Sequence, residues 1–143
     1  MKRADDGVVL DCSITMTFCF PDEATPATTT FFRSLAKRRA VVPALWRLEV
    51  TNVLAVALRR GRIMAADLQT MLDDLTDLGP EIDHSAADRA FTHIRALCAD
   101  HRITSYDAAY LDLAMQRSLP LATLDATLRK AARTCGVPTI QLT

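Results

Sequence analysis

What this sequence lacks first is net charge: 17 Lys and Arg balance 17 Asp and Glu over 143 residues. No long-range field draws the whole molecule toward a polyanion, so any such partner must meet a local basic patch. Long apolar runs are missing too. No window approaches the ~18 apolar residues of a membrane span, and no signal-like apolar stretch follows the charged opening MKRADDG, which implies a soluble protein. Cysteine is sparse: Cys12, Cys19, Cys98 and Cys135 form no CxxC pair. Their irregular spacing without a secretory signal implies reduced thiols and a cytoplasmic home. His84, His93 and His101 offer neither an HExxH pair nor a Cys/His zinc spacing and read as surface or packing residues. The absence of GxGxxG and GxxxxGK[ST] leaves nucleotide binding through a glycine-rich loop without support. No repeat, low-complexity stretch or linker divides the chain.

What is present is core-forming material. Half of the residues are hydrophobic, and the length falls within the usual range for one domain of about 100 to 150 residues. Val8-Val9-Leu10 is apolar on both faces and predicts a buried parallel strand ending at Asp11. A short helix or turn through Phe18 and Phe20 to Pro21 follows, then a helix from about Ala24 to Arg38 with Phe31, Phe32 and Leu35 inward. Ala40-Val41-Val42 is a second strand, closed by Pro43. Leu45, Leu48, Val53 and Val56 recur at helical spacing as far as Gly61, and a further helix covers Ala65 to Leu78 before Gly79-Pro80. Glu81-Ile82-Asp83 is the least marked strand. Helices are predicted from Ser85, a candidate N-cap, to Ala99, and from Ile103 to Met115. A strand over Leu119–Leu124, a helix over Asp125–Cys135 capped by Gly136, and a last strand over Pro138–Leu142 complete the chain. Strands separated by helices throughout imply an α/β fold with a parallel sheet covered on both faces.

In such sheets ligands collect beyond the carboxyl ends of the strands, and four carboxylates fall there or on the helices that follow. Asp11 ends the first strand and Asp125 follows the Leu119–Leu124 strand. Each is also placed to cap a helix, since Asp is among the best N-cap residues. Glu49 lies within the apolar face Leu45, Leu48, Val53, with Asn52 three residues on. An ion pair with Arg47 or Arg33, or simple exposure, is the plainer reading of it. Asp107 sits in the first turn of a helix that Thr104 or Ser105 would cap. If the four converge, their repulsion requires cations, and an all-oxygen donor set favours magnesium or manganese over zinc.

These residues carry a family resemblance. Val8-Val9-Leu10-Asp11-Cys12-Ser13, the Pro43–Leu54 stretch PALWRLEVTNVL, Thr104–Leu111 (TSYDAAYL) and Leu119–Asp125 (LPLATLD), in that order and spacing, resemble the PIN-domain ribonucleases, specifically the VapC-type toxins of type II toxin–antitoxin pairs. The resemblance covers nearly the whole chain as a single domain over residues 1–143. It implies a three-layer α/β/α domain with a central five-stranded parallel sheet and an acidic quartet carried here by Asp11, Glu49, Asp107 and Asp125. Ser13, Asn52 and Thr123 would be supporting polar positions. It further implies Mg2+, or Mn2+, as cofactor, RNA as substrate with a 5'-phosphate left on cleavage, a cognate antitoxin covering the site, and a homodimer. Within the quartet, Asp11 and Asp107 are the expected metal ligands, with Glu49 and Asp125 serving a second ion or bound waters. Cys12 stands where alanine is more usual. Asp112 replaces a common apolar residue and, five residues past Asp107, points to another side of the helix.

Lys37-Arg38-Arg39, Arg47 and Arg59-Arg60-Gly61-Arg62 are candidate RNA contacts, and each is equally a solvated helix face. The aromatics Phe18, Phe20, Phe31, Phe32 and Trp46 are candidates for partner contacts or for core. Two other classes remain. One is an interaction module on a degenerate nuclease fold. The other is a dehalogenase-type phosphatase, which wants a second Asp two residues after the first, where this chain has Ser13.

Overall fold

The computed structural model describes residues 6–142; residues 1–5 of the charged opening and Thr143 lie outside the described residues. Four short strands form one parallel sheet in the order β3-β2-β1-β4, with β1 Val8–Leu10, β2 Ala40–Pro43, β3 Glu81–Asp83 and β4 Leu121–Ala122. Val8, Val9 and Leu10 are wholly buried because β1 is central, with β2 beside it through Val9↔Val41 and β4 through Val9↔Leu121. β3 is half-buried and held at the edge by ion pairs of Glu81 with Arg39 and Arg117.

The expected fifth strand is not formed. The segment from Pro138 touches the sheet at a single parallel bridge, Leu121↔Thr139. β4 gives it little to pair with. Leu119 N–H is committed to Ala114 O at the end of the preceding helix, and Pro120 has no donor. Beyond Ala122 the N–H groups of Leu124 and Asp125 turn to side-chain hydroxyls instead of a ladder.

Among the described residues eight α-helices flank the sheet: α1 Cys12–Cys19, α2 Pro26–Ser34, α3 Leu45–Arg59, α4 Ala65–Leu78, α5 Ala86–Arg89, α6 Arg95–His101, α7 Ser105–Arg117 and α8 Ala126–Thr134. α2 is shorter than its apolar pattern suggested. Thr25 and Thr28 form a capping box and Pro26 occupies the first turn, so the helix cannot start before residue 26. The helix predicted from Ser85 to Ala99 is broken by a π segment, Ala90–Ile94. Ser85 does not cap it, because its hydroxyl donates to Asp83 Oδ1 at 2.5 Å. Phe20, Phe31 and Trp46 belong to the core, while Phe18 and Phe32 pack on it with their rings 4.8 Å apart. The early aromatics therefore serve packing.

Candidate active site at the carboxyl edge of the sheet

Because every strand runs the same way, their carboxyl ends share one edge, and the residues just past β1, β2 and β4 meet there. Asp11, directly after β1, is 3 % exposed. Its carboxylate caps α1, accepting from Ile14 N–H at 3.0 Å, and takes a hydroxyl bond from Ser13 at 2.6 Å on Oδ1 and another from Thr123 on Oδ2. Burial pushes its pKa above the ordinary value of 3.8, while these three donors pull it back and the charge of Asp125 pushes it up again.

The same hydroxyls lace β1 to the end of β4. Ser13 Oγ accepts from Leu124 N–H at 2.9 Å and Thr123 Oγ1 from Asp125 N–H at 3.0 Å. Asp125 is exposed and caps α8 through Leu128 N–H at 2.8 Å. Both capping readings are thus realised, and in each case the carboxylate still faces the shared edge.

Glu49 pairs with neither Arg47 nor Arg33 among the described residues; its partner is Tyr110, whose hydroxyl donates to Oε1 at 2.6 Å. Burial raises the Glu49 pKa, the Tyr110 bond lowers it, and Asp11 raises it. α3, which carries Glu49, is anchored to the start of α1 by Trp46 Nε1–H to Thr15 Oγ1 at 2.9 Å, and Thr15 in turn donates to Asp11 O at 2.8 Å. Asp107 lies in the first turn of α7, capped by Thr104. Burial first, then the charges of Asp125, Asp11 and Glu49, push its pKa up to about 6. The four carboxylates therefore feel one another from four separate helices or helix caps, and none of them is ion-paired to Lys or Arg among the described residues.

Asn52 is exposed and joins no hydrogen bond of this network. Asp112 faces away from it, buried and bound by Arg89 in a bidentate pair at 2.7 and 2.9 Å. Tyr110 was missed as a site residue because it sits on the apolar rhythm of α7. The available signal was that a buried phenol needs a hydrogen-bond partner, and Tyr110 lies three residues past Asp107 on the same helix face.

Among the described residues no group of three His, Cys, Asp or Glu side chains stands close enough together to hold a metal ion. In donor chemistry the four residues do fit a hard divalent cation: they are all oxygen, mutually repelling and without a cationic partner.

No family model matches this sequence, and no curated protein does. Solved structures do. PAE2754 from Pyrobaculum aerophilum superimposes with a TM-score of 0.68 at 18% identity, over 94% of this chain and 83% of its own. FitAcB from Neisseria gonorrhoeae superimposes with a TM-score of 0.62 at 20% identity, over 94% of this chain and 96% of the matched chain. The likeness is one of fold. A parallel sheet flanked by helices is consistent with a PIN-like architecture, with four strands in place of five. No helix among the described residues is long and apolar enough to cross a membrane.

Proposed function

We propose that the chain is a metal-dependent endoribonuclease, a single PIN domain that acts as the toxin of a type II, VapC-type toxin–antitoxin pair. What supports this reading is that Asp11, Glu49, Asp107 and Asp125 lie on or cap helices at the carboxyl edge of the sheet, and among the described residues none is ion-paired to Lys or Arg. The fold likeness to PAE2754 and FitAcB and the four sequence motifs support it.

In the proposed mechanism Asp11 and Asp107 would hold Mg2+ or Mn2+, with Glu49 and Asp125 holding a second ion or its waters. Bound there, a divalent cation supplies charge neutralisation at the phosphodiester and makes a nearby water more acidic. The protein's own part is positioning. Ser13, Thr123 and Ile14 N–H fix the Asp11 carboxylate, and Tyr110 fixes Glu49. Hydrolysis would leave a 5'-phosphate.

A cognate antitoxin and a second copy of the chain are the proposed protein partners. Leu48, 74 % exposed, and Tyr106, 61 % exposed, line an apolar groove of about 440 Å3 close to Glu49 and Asp107, a surface such a partner would cover. The four free thiols fit a cytoplasmic setting.

The test is cleavage of a mixed cellular RNA pool by purified protein with magnesium or manganese, with chelator, and with Asp11→Asn. Metal-dependent cutting that the substitution abolishes is the expected result. A folded protein that cuts nothing under any condition would turn the reading toward a partner-binding module on a nuclease-like fold.

A further inference from the structure

The basic clusters that the sequence offers for RNA do not lie at the site. Arg38 and Arg39 precede β2, at the amino edge of the sheet, where Arg38 bonds Asp6 O and Gly7 O and Arg39 pairs with Glu81. Arg62 is taken up by Asp22 and Glu23 and lies over the Phe20 ring at 3.8 Å. Arg59 and Arg60 stand at the far end of α3, about 20 Å of helix from its first turn. Arg47 is two residues from Glu49 and therefore points to another side of that helix.

A different groove, of about 570 Å3, lies between residues 100–102 and α8. Residues 100–102 form one wall; Thr127, Lys130 and Thr134 of α8 form part of the other. Each wall adjoins, along the chain, a helix start that carries a site carboxylate. Arg102 lies two residues before Thr104, the cap of the helix that carries Asp107, and Thr127 lies two residues after Asp125. α7, which carries Asp107, and α8, which Asp125 caps, pack against each other.

Arg102 holds the left-handed conformation, φ 53°, that ends α6. Side-chain-bearing residues adopt it rarely. Here it lets Ile103 turn into the core, 8 % exposed, while the Arg102 side chain stays in solvent. Among the described residues neither the Arg102 guanidinium nor the Lys130 ammonium has a hydrogen-bond or ion-pair partner. Asp100 is the one carboxylate along the groove, and His101 is held by Cys135, Nε2 to Sγ at 3.2 Å. Two unpaired cations in a groove whose walls adjoin the carboxylate-bearing helix starts suit a ligand with a repeating negative backbone and a reactive phosphodiester further along.

We propose that this groove between the 100–102 turn and α8 seats the phosphates of a single-stranded RNA on one side of the cleavage point, held by Arg102 and Lys130. The proposal rests on the nuclease reading above and assigns its substrate path. The test compares Asp11→Asn protein, in magnesium, with the same protein carrying Arg102→Gln and Lys130→Gln, and with a charge-matched control carrying Arg59→Gln and Arg60→Gln. Binding of a labelled single-stranded RNA oligonucleotide of mixed sequence is followed by anisotropy over a salt series. Each phosphate contact to a single strand contributes about 0.7 to the slope of log affinity against log salt. The groove variant is expected to bind about tenfold or more weakly with a slope shallower by about 1.4, while the control keeps the parent values. Equal affinity and slope in all three, with RNA still bound, would overturn the groove and leave the nuclease reading standing. Absence of any RNA binding by the parent would overturn both.

Discussion

Asp11 is held under two opposing influences. Burial disfavours its charge, while two hydroxyls and one backbone N–H donate to it and favour it. Thr123→Val preserves side-chain volume and removes one of those donors. It is expected to lower stability at neutral pH by about 1–3 kcal/mol, the cost of leaving a buried acceptor short. An unchanged urea midpoint would show that the hydroxyl contributes nothing. Asp107 gives a pH signature. Its folded pKa of about 6 lies above its ordinary 3.8, so the folded chain holds this proton more tightly than the unfolded one. That contribution is complete below about pH 4 and disappears as pH rises through about 6. Metal-free protein is therefore expected to lose stability over this interval, by about 1 kcal/mol for a group whose half exposure screens it. Asp107→Asn should flatten the loss and raise the neutral-pH melting temperature while abolishing cleavage. Melts of both proteins at either end of the interval decide the point, and identical drops would reject it. At this scale the sequence showed where Asp11, Glu49, Asp107 and Asp125 fall along the chain, but not what they touch. Glu49 could not be assigned to Tyr110, because that pairing joins residues 61 positions apart.

The elements were legible wherever an apolar run or a 3.6-residue rhythm was reinforced by a cap or a breaker. β1 and β2 are unbroken apolar runs, and α4 ends where Gly79 takes φ 55°. Where local pattern and long-range bonding disagree, the pattern fails. The Leu119–Leu124 run looks like six residues of strand, yet its ends are claimed by the α7 terminus and by the hydroxyls of the site, leaving two. The π segment inside the predicted Ser85–Ala99 helix has no compositional mark. Beside it, Arg89 reaches Asp112, which is 4 % exposed, and Gln116 adds a third bond at 2.9 Å. Arg89→Leu is expected to lower the melting temperature by leaving the buried Asp112 carboxylate without its bidentate partner. Adding Asp112→Leu should recover much of that loss. Thermal unfolding of the two singles and the double measures the coupling, and additive losses would show that the pair is not an energetic unit.

Taken as a whole, the molecule concentrates like charge at one edge of a sheet whose remaining interior is almost entirely apolar. Any ligand that neutralises that edge stabilises the folded state by mass action, about 2.7 kcal/mol when it exceeds its dissociation constant a hundredfold. Magnesium or manganese is therefore expected to raise the melting temperature at neutral pH, less so near pH 5, where Asp107 is largely protonated. Sodium chloride of matched ionic strength should not reproduce the effect. An equal shift from the monovalent salt would mean general screening in place of site binding.

Of the four strands, the inner strand β1 is synthesised first, and one of its two neighbours, β4, last. Asp11 receives its Thr123 hydroxyl across 112 positions of chain. A growing polypeptide on the ribosome thus carries β1 with one open edge and its leading carboxylate without one of its two hydroxyl donors until residues 121–125 have emerged. Translation order alone keeps this carboxylate edge incomplete until residues 121–125 are made, so products truncated before them lack it.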